Sequence, residues 1–215
     1  MKVIDQSWSY AMANKPAVIL KDIEAAGRTC YKSEDLITDE SAEKFVRQVI
    51  KSGHESVIEH ASISVRIITD RGVTHELVRH RLASYSQEST RYCNYGKEKF
   101  GNELTFIKPV WIEGNALDWP YTSPQRVWYN ACLETESIYL SLLKLGWSPQ
   151  QARTVLTNSL KTEIVMTCNL REWRHFFRLR ASKAAHPQMR ALALDMLKNF
   201  KRFLPAVFED IKVEE

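Results

Sequence analysis

Ala61-Ser62-Ile63-Ser64-Val65-Arg66-Ile67 is the stretch that decides the fold class of this chain, because its apolar and polar residues alternate without a break. A period of two is typical of a β-strand with one face buried. Further strands are predicted at Glu103 to Ile107 and at Thr162 to Thr167. The sequence therefore predicts a small sheet.

Helices are predicted on both sides of these strands along the chain. The first runs from Pro16 and ends at Gly27, and the second is capped by Thr38 and stopped by Gly53. The other predicted helices are Val73 to His80, Pro124 to Leu145, one opened by Ser148-Pro149, Leu170 to Arg180, and Pro187 to Phe203. The remaining predictions are a turn at Asp70-Arg71-Gly72, a polar stretch at Ala83 to Tyr95 and a loop at Gly114 to Pro124. We expect an α+β fold, a small mostly antiparallel sheet flanked by helices, in a single domain over residues 1–215.

The composition is that of an ordinary globular protein, with 44% hydrophobic and 26% charged residues in 215. The N-terminus lacks the basic-then-apolar order of a signal peptide, and no apolar run approaches the length of a membrane span, so we expect a cytoplasmic protein with no membrane partner. The chain has no Cys-x-x-Cys pair, which argues against a zinc knuckle or a disulfide framework. We expect reduced thiols at Cys30, Cys93, Cys132 and Cys168.

Seven of the arginines form two clusters that contain no lysine. The first cluster is Arg79, Arg81 and Arg91, and the second is Arg171, Arg174, Arg178 and Arg180. The planar guanidinium fork matches a phosphate or carboxylate with two parallel hydrogen bonds, which an ammonium cannot do. With a net charge of only +4, this bias favours a small anionic ligand.

The segment from Arg79 to Tyr92 combines three guanidiniums with several hydroxyls and the backbone amides of a turn, which together suit a phosphate. The alternative is a surface helix end followed by a hydroxyl-rich loop, since arginine is also favoured near helix C-termini. The pattern alone leaves both interpretations open.

Gly53 to His60 is rich in polar groups that could bind a ligand. His54 and His60 are six residues apart, which fits neither a zinc-binding helix nor a zinc finger, so we predict no metal ligation. The other interpretation is a loop whose polar groups are satisfied within the structure.

The predicted helix from Leu170 to Arg180 has two different faces. Arg171, Arg174, His175 and Arg178 share one face, and Trp173, Phe176 and Phe177 fall on the other. The basic face could hold a ligand, could be solvated, or could bind RNA through interleaved arginines and aromatics.

The Arg-His-Arg triplet at Arg79 to Arg81, followed after seven residues by Ser89 and then by Arg91, resembles the signature of the flavin-dependent thymidylate synthases. The resemblance extends from about Arg28 onward. It includes Gly53-His54-Glu55-Ser56 with Glu59-His60, the helix at Ala152-Arg153, and the segments Asn169-Leu170-Arg171 and Leu179-Arg180.

The resemblance implies a homotetramer whose active sites are each assembled from more than one subunit. The implied reaction is the reductive methylation of dUMP to dTMP on bound FAD, with methylenetetrahydrofolate as the carbon donor and NADPH as the reductant of the flavin. In such a reaction the cofactor carries out the redox chemistry, and the protein binds and orients the ligands and stabilises developing charge. No metal and no nucleic acid are implied.

The resemblance also assigns roles to individual positions. It implies flavin contacts at Ser56, Arg79, His80, Arg81, Gln87, Asn169, Leu170, Arg171 and His175, with Glu59 a weaker candidate. It implies nucleotide contacts at Glu76, Leu77, Val78, Arg79, Gln87, Glu88, Ser89, Thr90, Arg91, Arg153 and Arg180, with Arg153 arriving from a neighbouring subunit. Arg180 is the candidate catalytic residue, because a fixed positive charge beside the uracil ring favours its deprotonated form and makes carbon 5 more nucleophilic.

Four positions differ from the family pattern: Glu76 and His175 stand where amides are common, Gln87 where a carboxylate is common, and Thr90 where glycine is common. Cys93 lies near the motif, but the family needs no nucleophilic cysteine, and a lone cysteine is more often a buried structural thiol. Ser89 is interpreted as a binding hydroxyl, since no residue in the sequence is marked as a base that would deprotonate it.

Two other functions are alternatives to a flavin-dependent synthase. One is an RNA-binding module without catalysis, and the other is a nucleotide hydrolase, for which no metal-binding carboxylate cluster is evident in the sequence.

Overall fold

The computed structural model describes residues 1–114 and 116–213, apart from the side chain of Leu117. The strands are β1 (Lys2–Ile4), β2 (Ser7–Met12), β3 (Ser62–Asp70), β4 (Ala83–Gln87), β5 (Thr105–Ile107) and β6 (Lys161–Asn169). The helices are α1 (Pro16–Tyr31), α2 (Ser41–Lys51), α3 (Arg71–Leu77), α4 (Pro124–Lys144), α5 (Pro149–Ala152), α6 (Leu170–Arg180), α7 (Pro187–Phe203) and α8 (Pro205–Phe208).

Two sheets organise the strands. One has the order β2-β3-β6-β4, and the other pairs β1 with β5 in parallel, with Val3 opposite Phe106. The fold is therefore α+β with a mostly antiparallel sheet flanked by helices, and this part of the prediction is confirmed. No helix in the described part of the chain is long and apolar enough to cross a membrane.

The chain divides into two compact units, each built from three stretches of sequence. The first unit comprises Met1–Ser7, Ile67–Val78 and Ser86–Ile164. The second unit comprises Trp8–Arg66, Arg79–Tyr85 and Val165–Glu215, of which residues up to 213 are described. Both units mix early and late segments, so neither is a simple N- or C-terminal half.

The first unit is built around an apolar cluster on the long helix α4. This helix begins where the Ser123 side chain accepts a hydrogen bond from the backbone N–H of Arg126, and Pro124 stands at its first position. Its Cys132 and Tyr139 are buried in a cluster with Tyr95, Leu104, Phe106, Ala152 and Leu160. At roughly 1.5–3 kcal/mol for each fully buried large apolar side chain, this cluster holds the unit together.

The second unit has an aromatic core contributed by β2, α6, α7 and α8. Trp8, Tyr10, Trp173, Phe176, Phe177, Phe200 and Phe208 form a continuous set of ring contacts with centroids 5.0–6.2 Å apart. The indole N–H of Trp173 donates to the carbonyl of Ile63 at 3.0 Å, so α6 is tied to β3 by a buried hydrogen bond as well. This packing fixes the helix on which several predicted site residues lie.

The sequence predicted that the first helix ends at Gly27, and this boundary was wrong. α1 continues to Tyr31, and Lys32 closes it in the left-handed conformation with φ 50°. A Cβ placed on Gly27 would lie 2.5 Å from the ring of Phe45 and 2.8 Å from Val57. The glycine is therefore needed for the close approach of α1 to its neighbours.

Several other boundaries differ from the prediction. α2 begins at Ser41 without a side-chain cap from Thr38, and α3 begins at Arg71 because Asp70 caps it at Val73 N–H, 2.7 Å away. The polar stretch after Arg81 contains the strand β4, and β1 and β2 were not predicted at all. Part of the predicted loop from Gly114 to Pro124 is a short 3₁₀ turn at Ala116–Asp118, and Asn115 lies outside the described residues.

Candidate active site

In the first unit, β4 leads into a tight turn that starts at Ser89. The backbone N–H of Glu88 donates to the carbonyl of Glu163 on β6 at 2.8 Å, which fixes where the turn begins. The Ser89 carbonyl then accepts from the N–H groups of Tyr92 and Cys93, and its hydroxyl oxygen accepts from the N–H of Arg91 at 3.3 Å. The segment is thus a built turn rather than an unstructured loop.

Two arginines lie at this turn. Arg91 is exposed, with its guanidinium carbon 5.4 Å from the ring centre of Tyr92. Arg153 is also exposed, and its Nη1 lies 3.4 Å from the hydroxyl oxygen of Thr90. Within one chain, Arg153 therefore contacts this turn through Thr90. Two guanidiniums beside a hydroxyl-bearing turn form a suitable phosphate site.

Glu88 uses both carboxylate oxygens to brace the turn. Its Oε1 accepts from the Tyr95 hydroxyl at 2.8 Å, and its Oε2 accepts from Lys161 Nζ at 3.0 Å. Burial opposes a charged Lys161, but hydrogen bonds from Lys161 to Glu163 and Glu88 raise the pKa of its ammonium group. Burial, with Glu88 adding to it, raises the pKa of the Tyr95 hydroxyl. The network therefore consists of a charged lysine, a carboxylate and a neutral phenol.

The other predicted nucleotide residues of this unit differ in accessibility. The amide nitrogen of Gln87 donates to the hydroxyl of Thr74 at 3.0 Å and to that of Thr162 at 3.2 Å, which orients the side chain. Val78 is exposed, Glu76 is half-buried and Leu77 is fully buried. Leu77 could therefore offer a ligand only its backbone.

In the second unit, solvent exposure alternates along the Arg-His-Arg triplet. Arg79 and Arg81 are exposed, whereas His80 between them is 4% exposed. The hydroxyl of Tyr85 donates to the carbonyl of His80 at 2.8 Å, and the ring of Phe176 packs at an angle against the imidazole, 5.1 Å away. The histidine is thus held inside the unit while its two neighbours face the solvent.

His80 links two residues of α6. Its Nδ1 lies 3.0 Å from Oε1 of Glu172, and its Nε2 lies 3.1 Å from Nε of Arg180. Burial lowers the pKa of His80, the charges of Arg180 and His175 lower it further, and the hydrogen bond to Glu172 opposes these effects only in part. The imidazole is therefore neutral near pH 7.

α6 brings further flavin candidates to the same region of the unit. Asn169 caps the helix by accepting from the N–H of Glu172 at 2.9 Å, and the exposed ring of His175 lies 5.7 Å from that of His80. Arg171 pairs with Glu59 at 2.5 Å, which connects α6 to the turn that carries the exposed Ser56. Leu170 is fully buried, and its N–H donates to the carbonyl of Ala61.

Arg174 shares a face of α6 with Arg178, as predicted, but it is buried rather than open to a ligand. This guanidinium is 1% exposed and makes two hydrogen bonds to Asp210, at 2.6 and 2.7 Å. It also lies 3.1 Å from Glu55, and Arg178 lies 2.9 Å from the same carboxylate. The three arginines Arg171, Arg174 and Arg178 are thus each paired with at least one acid.

The buried cysteines are inert thiols. Burial raises the pKa of Cys132 to about 12, and it raises that of Cys168 as well. The half-buried Cys93 packs against the apolar cluster of the first unit. This arrangement agrees with the interpretation of Cys93 as a structural residue.

Sequence reasoning missed the residues that support the site. Glu172, Thr74, Thr162, Lys161 and Tyr95 contact predicted site residues but carry no motif of their own. For Glu172, the sequence shows a charged residue beside the aromatic residues of α6. That observation does not identify His80 as its partner.

This chain is similar to several known proteins. The family profile described as thymidylate synthase complementing protein (Thy1) matches residues 18–206. A protein of Mycolicibacterium gilvum (strain PYR-GCK) named flavin-dependent thymidylate synthase is 38% identical over 221 residues, which cover 97% of this chain and 84% of the relative. The protein of the same name from Mycobacterium tuberculosis (strain ATCC 25177 / H37Ra) is 36% identical over the same shares of both chains.

A solved structure has the same fold. It is the crystal structure of a UMP/dUMP methylase, PolB, from Streptomyces cacaoi bound with 5-Br dUMP, with a TM-score of 0.76, 23% identity, and coverage of 97% of this chain and 96% of that one. Together, the profile match over most of the chain and the high-coverage relatives show that this chain belongs to the thymidylate synthase complementing protein family.

Proposed function

We propose that this chain is a flavin-dependent thymidylate synthase that converts dUMP to dTMP by reductive methylation. Its relatives carry that name at 36–38% identity over 97% of this chain. In this proposal methylenetetrahydrofolate supplies the carbon, and NADPH supplies the electrons through bound FAD. The enzyme is a cytoplasmic homotetramer with shared active sites.

The observation that carries the proposal is the turn at Ser89 with its two arginines. Arg91 and Arg153 supply charge and forked donors to the 5′-phosphate, and the Ser89 hydroxyl and the neighbouring amides supply the remaining hydrogen bonds. The bracing of Glu88 by Tyr95 and Lys161 keeps the turn in place before the nucleotide arrives. Preorganisation of this kind reduces the entropy lost on binding.

Arg180 activates the uracil ring in this proposal. The half-buried guanidinium carries a positive charge, and its Nε donates a hydrogen bond to Nε2 of His80. A positive charge next to the ring stabilises the anion that forms when the ring loses its proton, which places electron density at carbon 5. The buried thiols of Cys132 and Cys168 take no part.

The second unit has donors that fit a flavin dinucleotide. The exposed Arg79, Arg81 and Arg171 suit a pyrophosphate, and Ser56, His175 and Asn169 offer polar contacts to the rest of the molecule. The bound flavin supplies the hydride that completes the methyl group. The side chains of the protein bind and orient these ligands.

The test uses the purified full-length protein. After incubation with excess FAD and desalting, the protein should retain visible flavin absorbance. With methylenetetrahydrofolate and NADPH it should then release tritium from dUMP labelled at carbon 5. Reactions without folate or without NADPH are the controls, and NADH in place of NADPH measures the coenzyme preference. A desalted protein that has no flavin spectrum and releases no tritium rules the proposal out.

A further inference from the structure

A buried hydrogen-bonded chain connects Glu172, His80 and Arg180 in the second unit. Glu172 is 7% exposed and His80 is 4% exposed, and the two contacts measure 3.0 and 3.1 Å. Glu172 and Arg180 lie eight residues apart on α6, which is about two turns, so they share one face of the helix. His80 therefore bridges two ends of a single helical face.

The contact to Arg180 determines where the imidazole proton lies. An arginine N–H can only donate, so Nε2 of His80 must accept, and its proton must lie on Nδ1. That Nδ1–H then donates to Glu172, which as a carboxylate only accepts. A histidine with its proton on Nε2 would place two donors opposite each other and push Arg180 away. The carboxylate thus selects the tautomer that binds the arginine.

The same residues also form a set that could hold a metal ion. Ligand atoms of His80, Glu172 and His175 all lie within 4.8 Å of one another. Both ring nitrogens of His80 are already engaged, however, and one of them faces a guanidinium, whose charge repels a cation. The hydrogen-bonded chain accounts for these atoms better than a metal site does.

We infer that Glu172 is a positioning residue that aims Arg180 at the uracil ring through a neutral His80. This inference rests on the proposed function, because it gives the position of Arg180 a catalytic purpose. A fixed donor is effective only when it already points to where charge develops, and a misplacement of about 1 Å can cost roughly 100-fold in rate. Glu172 supplies that orientation without touching either ligand.

The first measurement is the tautomer of His80 in protein with ¹⁵N-labelled histidine. Long-range ¹H–¹⁵N spectra distinguish a protonated Nδ1 from a protonated Nε2, and the spectrum of a His80→Asn variant assigns the signal. We expect a protonated Nδ1 in the wild type and in Glu172→Gln, which keeps an acceptor. We expect a loss of that preference in Glu172→Ala. A wild-type His80 with its proton on Nε2 overturns the inference.

The second measurement is the rate of tritium release from labelled dUMP. Glu172→Ala should lower kcat by about 10-fold or more, with flavin content and the KM for dUMP nearly unchanged, and Glu172→Gln should recover most of kcat. If Glu172→Ala does not fold, a Glu172→Gln enzyme that keeps the proton on Nδ1 of His80 but loses kcat by about 10-fold or more still overturns the inference. A Glu172→Ala enzyme with a protonated Nδ1 on His80 and a wild-type kcat overturns the inference.

Glu24→Ala is the matched control. Glu24 is another buried glutamate of the second unit, and it pairs with Arg28 at 2.9 Å and with Ser41 at 2.8 Å. This variant should lose stability while it keeps the His80 tautomer and kcat. A fall in kcat as large as that of Glu172→Ala would mean that general loss of stability explains both.

A wild type that releases no tritium contradicts the proposed function instead, while the tautomer measurement still tests the hydrogen bonds between Glu172, His80 and Arg180.

Discussion

Asp210 accepts two parallel hydrogen bonds from Arg174, with Oδ1 2.6 Å from Nη1 and Oδ2 2.7 Å from Nη2. The guanidinium is 1% exposed, whereas the carboxylate is 49% exposed. Arg174 also donates to the carbonyl of Val207, so it connects α6 to α8 and the residues that follow. This pair anchors the C-terminal segment to the helix that carries the flavin candidates.

Asp210→Asn should destabilise the protein by about 2 kcal/mol, because it leaves a buried guanidinium with less compensating charge. Urea unfolding followed by circular dichroism measures the loss. Asp39→Asn is the control, since Asp39 is 99% exposed and pairs with the exposed Lys21. This variant should lose less than about 0.5 kcal/mol of stability. Equal losses in the two variants would contradict the role assigned to Asp210.

The stability of the protein should fall at acid pH. The hydrogen bond from Arg174 lowers the pKa of Asp210; burial raises that of Glu55, but Arg178 and Arg174 lower it overall. The folded state therefore binds fewer protons than the unfolded state, and the stabilisation is fully present above the unfolded pKa of about 4. It is lost as the pH falls through the lowered folded values. Urea unfolding between about pH 6 and about pH 3 should give a shallower pH dependence for Asp210→Asn than for the wild type.

Gly27→Ala should be destabilising although alanine is the better helix former. The gain of about 1 kcal/mol in helix propensity is smaller than the cost of a Cβ placed 2.5 Å from Phe45 and 2.8 Å from Val57, which we put at about 2–3 kcal/mol. Thermal unfolding should show a lower midpoint. Asp22→Ala, on the exposed side of the same helix, should change stability by less than about 0.5 kcal/mol. A stabilised Gly27→Ala would show that Phe45 moves aside freely.

Arg91→Ala should weaken dUMP binding by about 2 kcal/mol, roughly 30-fold, through the loss of a charge-assisted contact to the phosphate. Isothermal titration of dUMP into the flavin-loaded protein measures the change. Lys97→Ala removes one exposed positive charge from the same segment and should have little effect. An unchanged affinity in Arg91→Ala would mean that the phosphate binds elsewhere.

Lys161→Met should also weaken dUMP binding, although Lys161 is not a predicted ligand contact. Without the ammonium group of Lys161, the half-buried carboxylate of Glu88 keeps the Tyr95 hydroxyl but loses its ion pair with Lys161, so it holds the turn less firmly. We expect about a tenfold weaker affinity in the same titration, about 1.4 kcal/mol. Wild-type affinity in this variant would show that the turn holds its shape without Lys161.

Local signals predicted some elements very well. The bounds of α6 and α7 agree with the prediction, because Asn169 is a strong cap and Pro187 and Pro205 flank α7. The capping box of Ser148 with Gln151 likewise makes the start of α5 readable from the sequence. In each case the determining residues lie within a few positions of the boundary.

Other elements depend on partners that are distant in sequence. β1 contains only Lys2–Ile4 and exists through its pairing with β5, and β4 is a polar strand that pairs with β6. In the sequence, Gly27 resembles the glycine that ends a helix. In the structure it lies within α1 and allows the close approach of Phe45 and Val57. Local propensity cannot report a contact between such separated residues.

The sequence by itself determined the α+β class, the family and the motif from Arg79 to Arg91, because these follow from short-range periodicity and from the order of residues along the chain. Only the tertiary structure decided that Arg174 is buried against Asp210, that Arg153 reaches Thr90 from the same chain, and that Glu172 meets His80. His80 lies 92 residues from Glu172 and 100 from Arg180. Hydrogen bonds and burial depend on distance in space, and the packing of strands and helices creates that proximity.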